Sequence, residues 1–202
     1  MLEYTLEQNL INDGFKYVCG VDEAGRGPLC GPVVAAAVIL PCGLEIVGLN
    51  DSKKISEKKR EQLFDVICQS AISYSIAYGT VEQINEKNIL EATLGAMRQA
   101  IDTLNVKADY ALIDGNIARD FDIPAKAVVH GDALSPSIAA ASILAKVTRD
   151  RLCVELDAEY PMYGIAKHKG YGTKEHMDAL RKYGPAPIYR TKFIRFLDKD
   201  TK

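Results

Sequence analysis

The chain has 202 residues, of which 48% are hydrophobic and 26% are charged, a composition that suits one globular domain with a sizeable core. The formal net charge of −2 excludes a globally basic surface, so any nucleic-acid binding must come from local basic clusters or from metal ions held by carboxylates. The N-terminus lacks a signal-peptide pattern, no apolar run is long enough to span a bilayer, and the five cysteines form no C-x-x-C pair, so we expect a cytoplasmic protein that binds no membrane.

Strand and helix patterns alternate in the first half of the chain. Three segments are rich in Val, Ile and small residues, or alternate apolar and polar residues, and are predicted to be strands: 16–22, 32–40 and 72–78. Three segments carry apolar residues at helical spacing and are predicted to be helices: 2–12, 57–71 and 86–106. Ser56 is the expected N-cap of the second helix, and a glycine-rich turn at residues 25–31 joins the first two strands.

Short apolar segments in the second half are followed by helices. Two of these segments are predicted to be strands: 109–114 and 128–129. Two further segments are predicted to be helices: 136–159 and 173–183. Ser135 is a good N-cap and Pro136 suits the first helical position, so together they mark the start of the first of these helices. The order of elements predicts an α/β fold with a mixed sheet, in which antiparallel strands come first and parallel strands later.

Four carboxylates lie at or just beyond the ends of apolar segments: Asp22, Glu23, Asp114 and Asp132. Taken singly, they fit a solvated strand end, an Asp-Gly turn or an acidic residue at a helix start. Taken together, at strand ends where functional groups collect, they indicate a site for two divalent cations, and their hard oxygen ligands suit Mg²⁺ or Mn²⁺. Two ions roughly 3.5–4 Å apart are a common device for phosphodiester hydrolysis, so the pattern favours a metal-dependent phosphotransfer enzyme.

Several blocks of sequence follow one another in a characteristic order. They are GVDEAGRGPL at 20–29 with GPVVAA at 31–36, DSKKIS at 51–56, IDGN at 113–116, GD at 131–132 with IAAASILAKVTRD at 138–150, and KGYGT at 169–173 with YGP at 183–185. Together, over about residues 16–193, these blocks resemble the bacterial ribonuclease HII family, the type 2 ribonucleases H. Two positions depart from the family pattern, since Tyr189 stands where a His often precedes the Arg and Asn50 stands where Ser is frequent.

The resemblance implies a ribonuclease H-like mixed sheet flanked by helices, with a C-terminal helical extension. We therefore expect a single domain over residues 1–202, with a catalytic core at about 16–160 and a helical part at about 161–202. The four carboxylates would be the catalytic and metal-binding residues, with two Mn²⁺ or Mg²⁺ ions during catalysis. The implied enzyme (EC 3.1.26.4) cuts the RNA strand of RNA–DNA hybrids and nicks duplex DNA 5′ of a single embedded ribonucleotide. It leaves 5′-phosphate and 3′-hydroxyl ends and serves ribonucleotide removal, replication and repair.

The resemblance also assigns substrate-binding roles to a loop and a tyrosine. Gly25, Arg26 and Gly27 resemble the loop that senses the ribose 2′-hydroxyl, and glycines there would let the backbone approach the sugar closely. The alternative is an ordinary turn with a surface arginine. Tyr171 resembles the tyrosine that stacks on the sugar of the deoxynucleotide following the ribonucleotide. Its alternative is a tyrosine packed between two glycines for structural reasons.

Basic residues supply the expected phosphate contacts. Lys53 and Lys146 resemble phosphate-binding residues, but an ion pair on one helix face between Lys146 and Asp150 is an equally good interpretation. Later basic residues, including Arg190, belong to runs that are usually solvated faces and that could line a phosphate-binding groove. We expect His176 to hydrogen-bond the segment 169–173 and to have no catalytic role.

Three other classes of protein are weighed against this interpretation. The sister type, ribonuclease HIII, carries an extra N-terminal domain, for which about 15 residues before the first strand are too few, and it usually has Lys at the position of Arg26. A catalytically silent nucleic-acid-binding module would not need all four carboxylates. A glycosidase would need only two acids and no metal. We expect a monomer whose partners are RNA–DNA hybrids and DNA duplexes that contain ribonucleotides.

Overall fold

A computed structural model describes residues 2–50, 52 and 55–199 of the chain. Within these ranges, five strands form one sheet: β1 (Val18–Ala24), β2 (Val33–Ile39), β3 (Ser73–Gly79), β4 (Tyr110–Asp114) and β5 (Ala125–Val128). Their order across the sheet is β3-β2-β1-β4-β5. The pairs β1–β2 and β2–β3 are antiparallel, whereas β1–β4 and β4–β5 are parallel. The predicted mixed sheet is confirmed, and its last strand begins three residues before the predicted 128–129 segment.

The helices of the described residues flank this sheet and form the C-terminal part. They are α1 (Thr5–Asn12), α2 (Glu57–Ser70), α3 (Val81–Glu86), α4 (Ile89–Asp102), α5 (Pro136–Glu159), α6 (Ile165–His168), α7 (Lys174–Tyr183) and α8 (Phe196–Lys199). The Ser56 hydroxyl accepts a hydrogen bond from the Lys59 N–H, and the Ser135 hydroxyl accepts one from the Ile138 N–H. Both serines are therefore the N-caps that the sequence predicts.

The prediction of one helix over residues 86–106 was wrong in both its start and its end. The structure has two helices, α3 and α4, with a break at Lys87 and Asn88. The Asn88 side chain accepts a hydrogen bond from the Glu91 N–H and so starts a new helix at Ile89. At the other end α4 stops at Asp102, and the hydroxyl of the next residue, Thr103, donates a hydrogen bond to the Gln99 carbonyl.

The centre of the sheet is buried on both faces. Every residue of β2 is buried; Ala35, Ala37 and Ile39 pack with the apolar face of α4, whereas its even-numbered residues pack with α2 and α5. This burial explains why the β2 sequence is continuously apolar. Helix α5 lies so close to β1 that a Cβ at Gly20 would stand 2.1 Å from the Ser137 carbonyl carbon. Glycine is therefore required at this crossing.

The C-terminal part packs against the end of α5 and against the loop after β1. Its apolar cluster includes Cys30, Cys153, Tyr163, Leu180 and Tyr189. Three backbone hydrogen bonds join it to the 25–31 loop: Leu29 N–H to Gly170 O at 2.8 Å, Gly31 N–H to Ile188 O at 2.9 Å, and Arg190 N–H to Leu29 O at 2.9 Å. The predicted helical extension is confirmed, and it supports the loop of the candidate site directly.

The structure also bears on the cysteines and on membrane contact. All five cysteines are free; Cys19, Cys30 and Cys153 are buried, Cys68 is half-buried and Cys42 is exposed. Among the described residues, no helix combines the length and apolar character needed to cross a bilayer.

Candidate active site

The sheet topology brings two aspartates together. Strands β1 and β4 are parallel neighbours, and their last registered pair is Val21 with Ile113. The next residue on each strand is an aspartate, Asp22 on β1 and Asp114 on β4. Carboxyl ends of adjacent parallel strands meet at one edge of a sheet, so these two side chains share a site. Glu23 follows at once on β1, which places three carboxylates at this edge.

Asp22 lies in surroundings that disfavour its negative charge. It is only 6% exposed, and its Oδ1 accepts a hydrogen bond from the Glu23 N–H at 2.7 Å. Burial, and after it the negative charges of Glu23 and Asp114, raise the pKa of Asp22 well above its ordinary value. A hydrogen bond with Ser142 opposes this rise only in part. Without a bound cation, it is therefore energetically unfavourable for Asp22 to be ionised beside Glu23 and Asp114.

Asp114 also organises the turn that carries Asp132. Its Oδ1 accepts hydrogen bonds from the Gly131 N–H at 2.7 Å and from the Asp132 N–H at 3.4 Å. Asp132 lies in a short 3₁₀ turn, Gly131–Ala133, and is 7% exposed. The backbone of Asp132 is thus hydrogen-bonded to Asp114, which places the fourth acidic residue next to the other three. It is not among the described residues that line the cleft beside the other three.

A cleft of about 320 Å³ opens beside the carboxylates. The described residues that line it are Asp22, Glu23, Ala24, Gly25, Arg26, Gly27, Ser52, Asp114, Ser142, Lys146, Arg149 and Tyr171. Most of the residues singled out in the sequence therefore share one concave surface. Lys53 lies outside the described residues, so its predicted phosphate contact remains a prediction.

The 25–27 loop forms one wall of this cleft. Gly25 has φ +98°, and a Cβ there would lie 2.0 Å from Nε of Arg149, so both its conformation and its neighbour require glycine. Arg26 is half-exposed, and its guanidinium lies 3.4 Å from a carboxylate oxygen of Glu23. A Cβ at Gly27 would lie 3.4 Å from the ring of Tyr171. The half-exposed Tyr171 ring therefore faces the loop across the cleft, instead of being buried between its flanking glycines.

Lys146 forms an ion pair with Asp150, which is one of the two roles that the sequence suggested for this lysine. Its Nζ lies 2.6 Å from Oδ1 of Asp150, which is buried. Asp150 also lies 3.7 Å from the guanidinium of Arg60, which donates hydrogen bonds to the carbonyls of Ser52 and Ile55. Lys146 also lines the cleft, so this residue belongs to the candidate site while its ammonium pairs with Asp150.

The sequence interpretation missed two buried arginines that hydrogen-bond to backbone carbonyls near the cleft. Arg190 was grouped with surface residues for phosphate binding, but it is completely buried and donates hydrogen bonds to carbonyls of the 25–31 loop. Arg149 is 3% exposed and donates to the Lys169 carbonyl at 2.9 Å. Local sequence signals for a buried arginine are weak, since its partners here are backbone groups distant in the chain. The predicted bond of His176 to the 169–173 segment is confirmed, with Nδ1 2.9 Å from the Tyr171 carbonyl oxygen.

The residues at the cleft suit a hard divalent cation by their chemistry. Carboxylate oxygens are the ligands that Mg²⁺ and Mn²⁺ prefer, and the repulsion around Asp22 is what a bound cation would offset. Among the described residues, however, no three His, Cys, Asp or Glu side chains already form a metal-binding group.

Comparison with known proteins agrees with this geometry. Residues 19–196 match the family model of ribonuclease HII. The chain is 53% identical over 191 residues to a ribonuclease HII of Ruminiclostridium cellulolyticum, which covers 95% of this chain and 75% of that protein. It is 57% identical over 176 residues to a ribonuclease HII of Burkholderia mallei, which covers 87% of this chain and 82% of that protein.

The fold agrees with a solved structure as well. The crystal structure of the ribonuclease H2 from Pyrococcus horikoshii OT3 superposes with a TM-score of 0.77 and 26% identity, and the match covers 92% of this chain and 98% of that one. Family model, sequence relatives and fold all point to one group of hydrolases. The chain belongs to the ribonuclease HII family and is an enzyme of the ribonuclease H class, which acts on RNA–DNA hybrids.

Proposed function

We propose that this enzyme is an endonuclease that cuts the RNA strand of hybrids and also nicks duplex DNA on the 5′ side of a single embedded ribonucleotide. It leaves 5′-phosphate and 3′-hydroxyl ends and serves the removal of ribonucleotides during DNA replication and repair. The observation that carries this proposal is that Asp22, Glu23 and Asp114 line one cleft together with the 25–27 loop and Tyr171. Hydrolytic groups and groups suited to recognising a sugar are thus within reach of the same nucleotide.

Asp22, Glu23 and Asp114 are proposed to hold two divalent ions, Mn²⁺ or Mg²⁺, with Asp132 completing the set from the adjacent turn. When bound, such ions activate a water and stabilise negative charge on the leaving 3′ oxygen. Asp22 would supply the ligand buried most deeply at the strand edge. Asp114 would both bind a cation and, through the Gly131 N–H, hold the Asp132 turn in place.

The backbone of the 25–27 loop is proposed to recognise the ribose 2′-hydroxyl. The carbonyls of Gly25 and Arg26 are directed to the buried Arg190 guanidinium. In a trans peptide, the N–H of the following residue points the opposite way, so the Arg26 and Gly27 N–H groups face away from Arg190. These N–H groups are suited to donate to a hydroxyl that DNA lacks. The Arg26 side chain and Lys146 are proposed to contact phosphates, as is Lys53.

Tyr171→Ala is expected to reduce kcat/KM on a duplex with one ribonucleotide by about 10-fold more than on a long hybrid, since loss of aromatic stacking costs about 1–3 kcal/mol. A long hybrid has RNA on both sides of most cutting sites, so it depends less on a contact to the following deoxynucleotide. Cleavage rates of the two substrates measure the difference. Tyr78→Ala, at an exposed tyrosine of the edge strand β3, is the control and should change neither rate. Equal losses on both substrates would make Tyr171 a structural residue.

The proposed function is tested with a labelled DNA duplex that contains one ribonucleotide, incubated with Mg²⁺, Mn²⁺ or EDTA. We expect a nick on the 5′ side of the ribonucleotide with either metal and none with EDTA. Cutting of an all-RNA strand in a hybrid, without any nick at the single ribonucleotide, would instead indicate a specificity like that of ribonuclease HIII. Cleavage that persists in EDTA would contradict the metal site.

The organisation and environment of the chain are further parts of the proposal. We propose one domain over residues 1–202, with the catalytic core at about 16–160 and a helical part at about 161–202. We also propose that it acts as a monomer in the cytoplasm. Size-exclusion chromatography with light scattering would test the oligomeric state.

A further inference from the structure

Arg190 is completely buried beneath the glycine-rich loop. Its guanidinium donates four hydrogen bonds to loop carbonyls: Nε to Gly31 at 2.9 Å, Nη1 to Arg26 at 3.0 Å and to Pro28 at 2.8 Å, and Nη2 to Gly25 at 2.7 Å. Burial, and after it the positive charge of Arg149, lower the pKa of Arg190 to about 10, so it remains charged at neutral pH. A charged group in such a place is costly unless it is fully hydrogen-bonded, and here the loop carbonyls meet that need.

Tyr189, the preceding residue, is joined to the opposite wall of the cleft. Its hydroxyl lies 2.8 Å from Nε2 of the fully buried His176, and Nδ1 of His176 lies 2.9 Å from the carbonyl oxygen of Tyr171. A carbonyl can only accept, so His176 Nδ1 carries the proton that is donated to Tyr171. Nε2 of the neutral ring is then the acceptor, and the Tyr189 hydroxyl is the donor. The adjacent residues Tyr189 and Arg190 therefore hold the two parts of the cleft, the Tyr171 segment and the 25–27 loop.

We propose that Tyr189 and Arg190 are positioning residues for ribose recognition. Arg190 orients the peptide groups of the 25–27 loop, so that their N–H groups face the sugar. Tyr189, through its hydrogen bond to His176, fixes the segment that carries Tyr171. Because both act from one dipeptide, they hold the loop and the tyrosine at a constant separation. This inference rests on the proposed function of the loop and Tyr171.

The first test uses Arg190→Lys and measures binding instead of activity. Lysine keeps the charge but lacks the planar fork that reaches four carbonyls. Dissociation constants are measured in EDTA for two duplexes of one sequence, one all-DNA and one with a single ribonucleotide. We expect the preference of the wild-type enzyme for the ribonucleotide to fall by about 5–10-fold in the variant, the value of one hydrogen bond. Affinity for the all-DNA duplex should change less than about 2-fold.

An equal loss of affinity for both duplexes, or an unchanged preference, would overturn the role of Arg190. Absence of any preference in the wild-type enzyme would instead refute the proposed recognition by the loop, and this inference with it. Arg195→Lys, at an exposed arginine of the same C-terminal part, is the matched control and should retain the wild-type preference.

The second test uses Tyr189→Phe, which removes one hydroxyl and keeps the ring that packs against Tyr163. The ratio of kcat/KM for the single-ribonucleotide duplex to that for a long hybrid should fall by about 5-fold, since Nε2 of His176 loses its hydrogen-bond donor and the ring holds the Tyr171 segment less firmly. In a Tyr171→Ala background the same substitution should have no further effect on this ratio, because it acts through Tyr171.

A further fall in that background, or an equal loss on both substrates in the single variant, would show that Tyr189 serves only the fold. Tyr183→Phe is the matched control at a half-exposed tyrosine that also packs against Tyr163, and it should leave the ratio unchanged. The Tyr189→Phe test stands even if Arg190→Lys does not fold, and circular dichroism of each variant identifies that case.

Discussion

Asp22→Asn is expected to reduce kcat by about 10³-fold or more while hybrid binding remains measurable. Asp22 is proposed to be a central metal ligand, and loss of such a ligand removes several kcal/mol of transition-state stabilisation, of which each 1.36 kcal/mol corresponds to a factor of about ten. Binding depends mainly on cationic contacts to phosphates, which this substitution leaves in place. Single-turnover cleavage and a filter-binding assay measure the two quantities. Full activity of Asp22→Asn would refute the assignment of the metal site.

The same substitution should stabilise the metal-free protein. The pKa of Asp22 is raised in the folded state by burial and by Glu23 and Asp114, so its contribution to stability is present below about pH 4 and is lost as the pH rises through the folded-state pKa. In EDTA at pH 8, Asn at this position should therefore unfold several degrees higher than the wild type. The difference should vanish toward pH 4, where thermal unfolding of both proteins is compared.

Asp109→Asn is the matched control for this effect. Asp109 accepts hydrogen bonds from the backbone N–H groups of Lys16 at 2.7 Å and Tyr17 at 2.9 Å, away from the cleft. Its replacement should lower the free energy of unfolding by about 1 kcal/mol and leave cleavage unchanged. The replacements of Asp22 and of Asp109 are thus expected to have opposite effects on the free energy of unfolding.

Gly20→Ala is expected to destabilise the fold by about 3 kcal/mol or more, near the upper end of overpacking effects. The added Cβ would lie 2.1 Å from the Ser137 carbonyl carbon and 2.2 Å from the Ile138 nitrogen, and backbone atoms cannot turn aside as a side chain can. Helix α5 would have to move away from β1, the strand that carries Asp22. Thermal unfolding should shift down by about 6–12 °C.

Gly95→Ala is the control for this prediction. Gly95 lies within α4, and a Cβ there would meet nothing within 4 Å. Alanine should stabilise this helix by about 0.5–1 kcal/mol, because glycine loses more conformational freedom on folding. An unfolding temperature that Gly20→Ala leaves unchanged would show that α5 does not cross β1 at this distance.

Local patterns predicted most of the fold. The continuous apolar run of β2 and the helical spacing in α5 depend on nearest neighbours and on burial of one or both faces, which periodicity records directly. The failure at 86–106 has a local cause too, since Asn88 ends one helical pattern and caps the next without a break in apolar spacing. Capping by an Asn inside a helical pattern was the signal that could have divided this segment.

The carboxylates of the candidate site could be predicted from the sequence, whereas the buried residues that hold its loop and Tyr171 could not. Asp22 and Asp114 could be recognised because each ends an apolar strand, and parallel pairing then brings such ends together. Lys146 remained undecided from the sequence, because helical spacing permits the ion pair with Asp150 without excluding a contact to substrate. Its ammonium has both an intrahelical partner and a position on the cleft.

The α/β class, the strand-end carboxylates and the glycine loop can be predicted from sequence, because each is a property of a few consecutive residues. The burial of Arg190 and its carbonyl partners become visible only in the folded chain, because those partners lie 159 to 165 positions earlier. The same is true of Tyr189 and His176, which act by hydrogen bonds that composition and periodicity do not encode. The residues next to a charged side chain in the sequence do not show whether it faces water or a buried loop, because contacts with distant parts of the chain decide its burial.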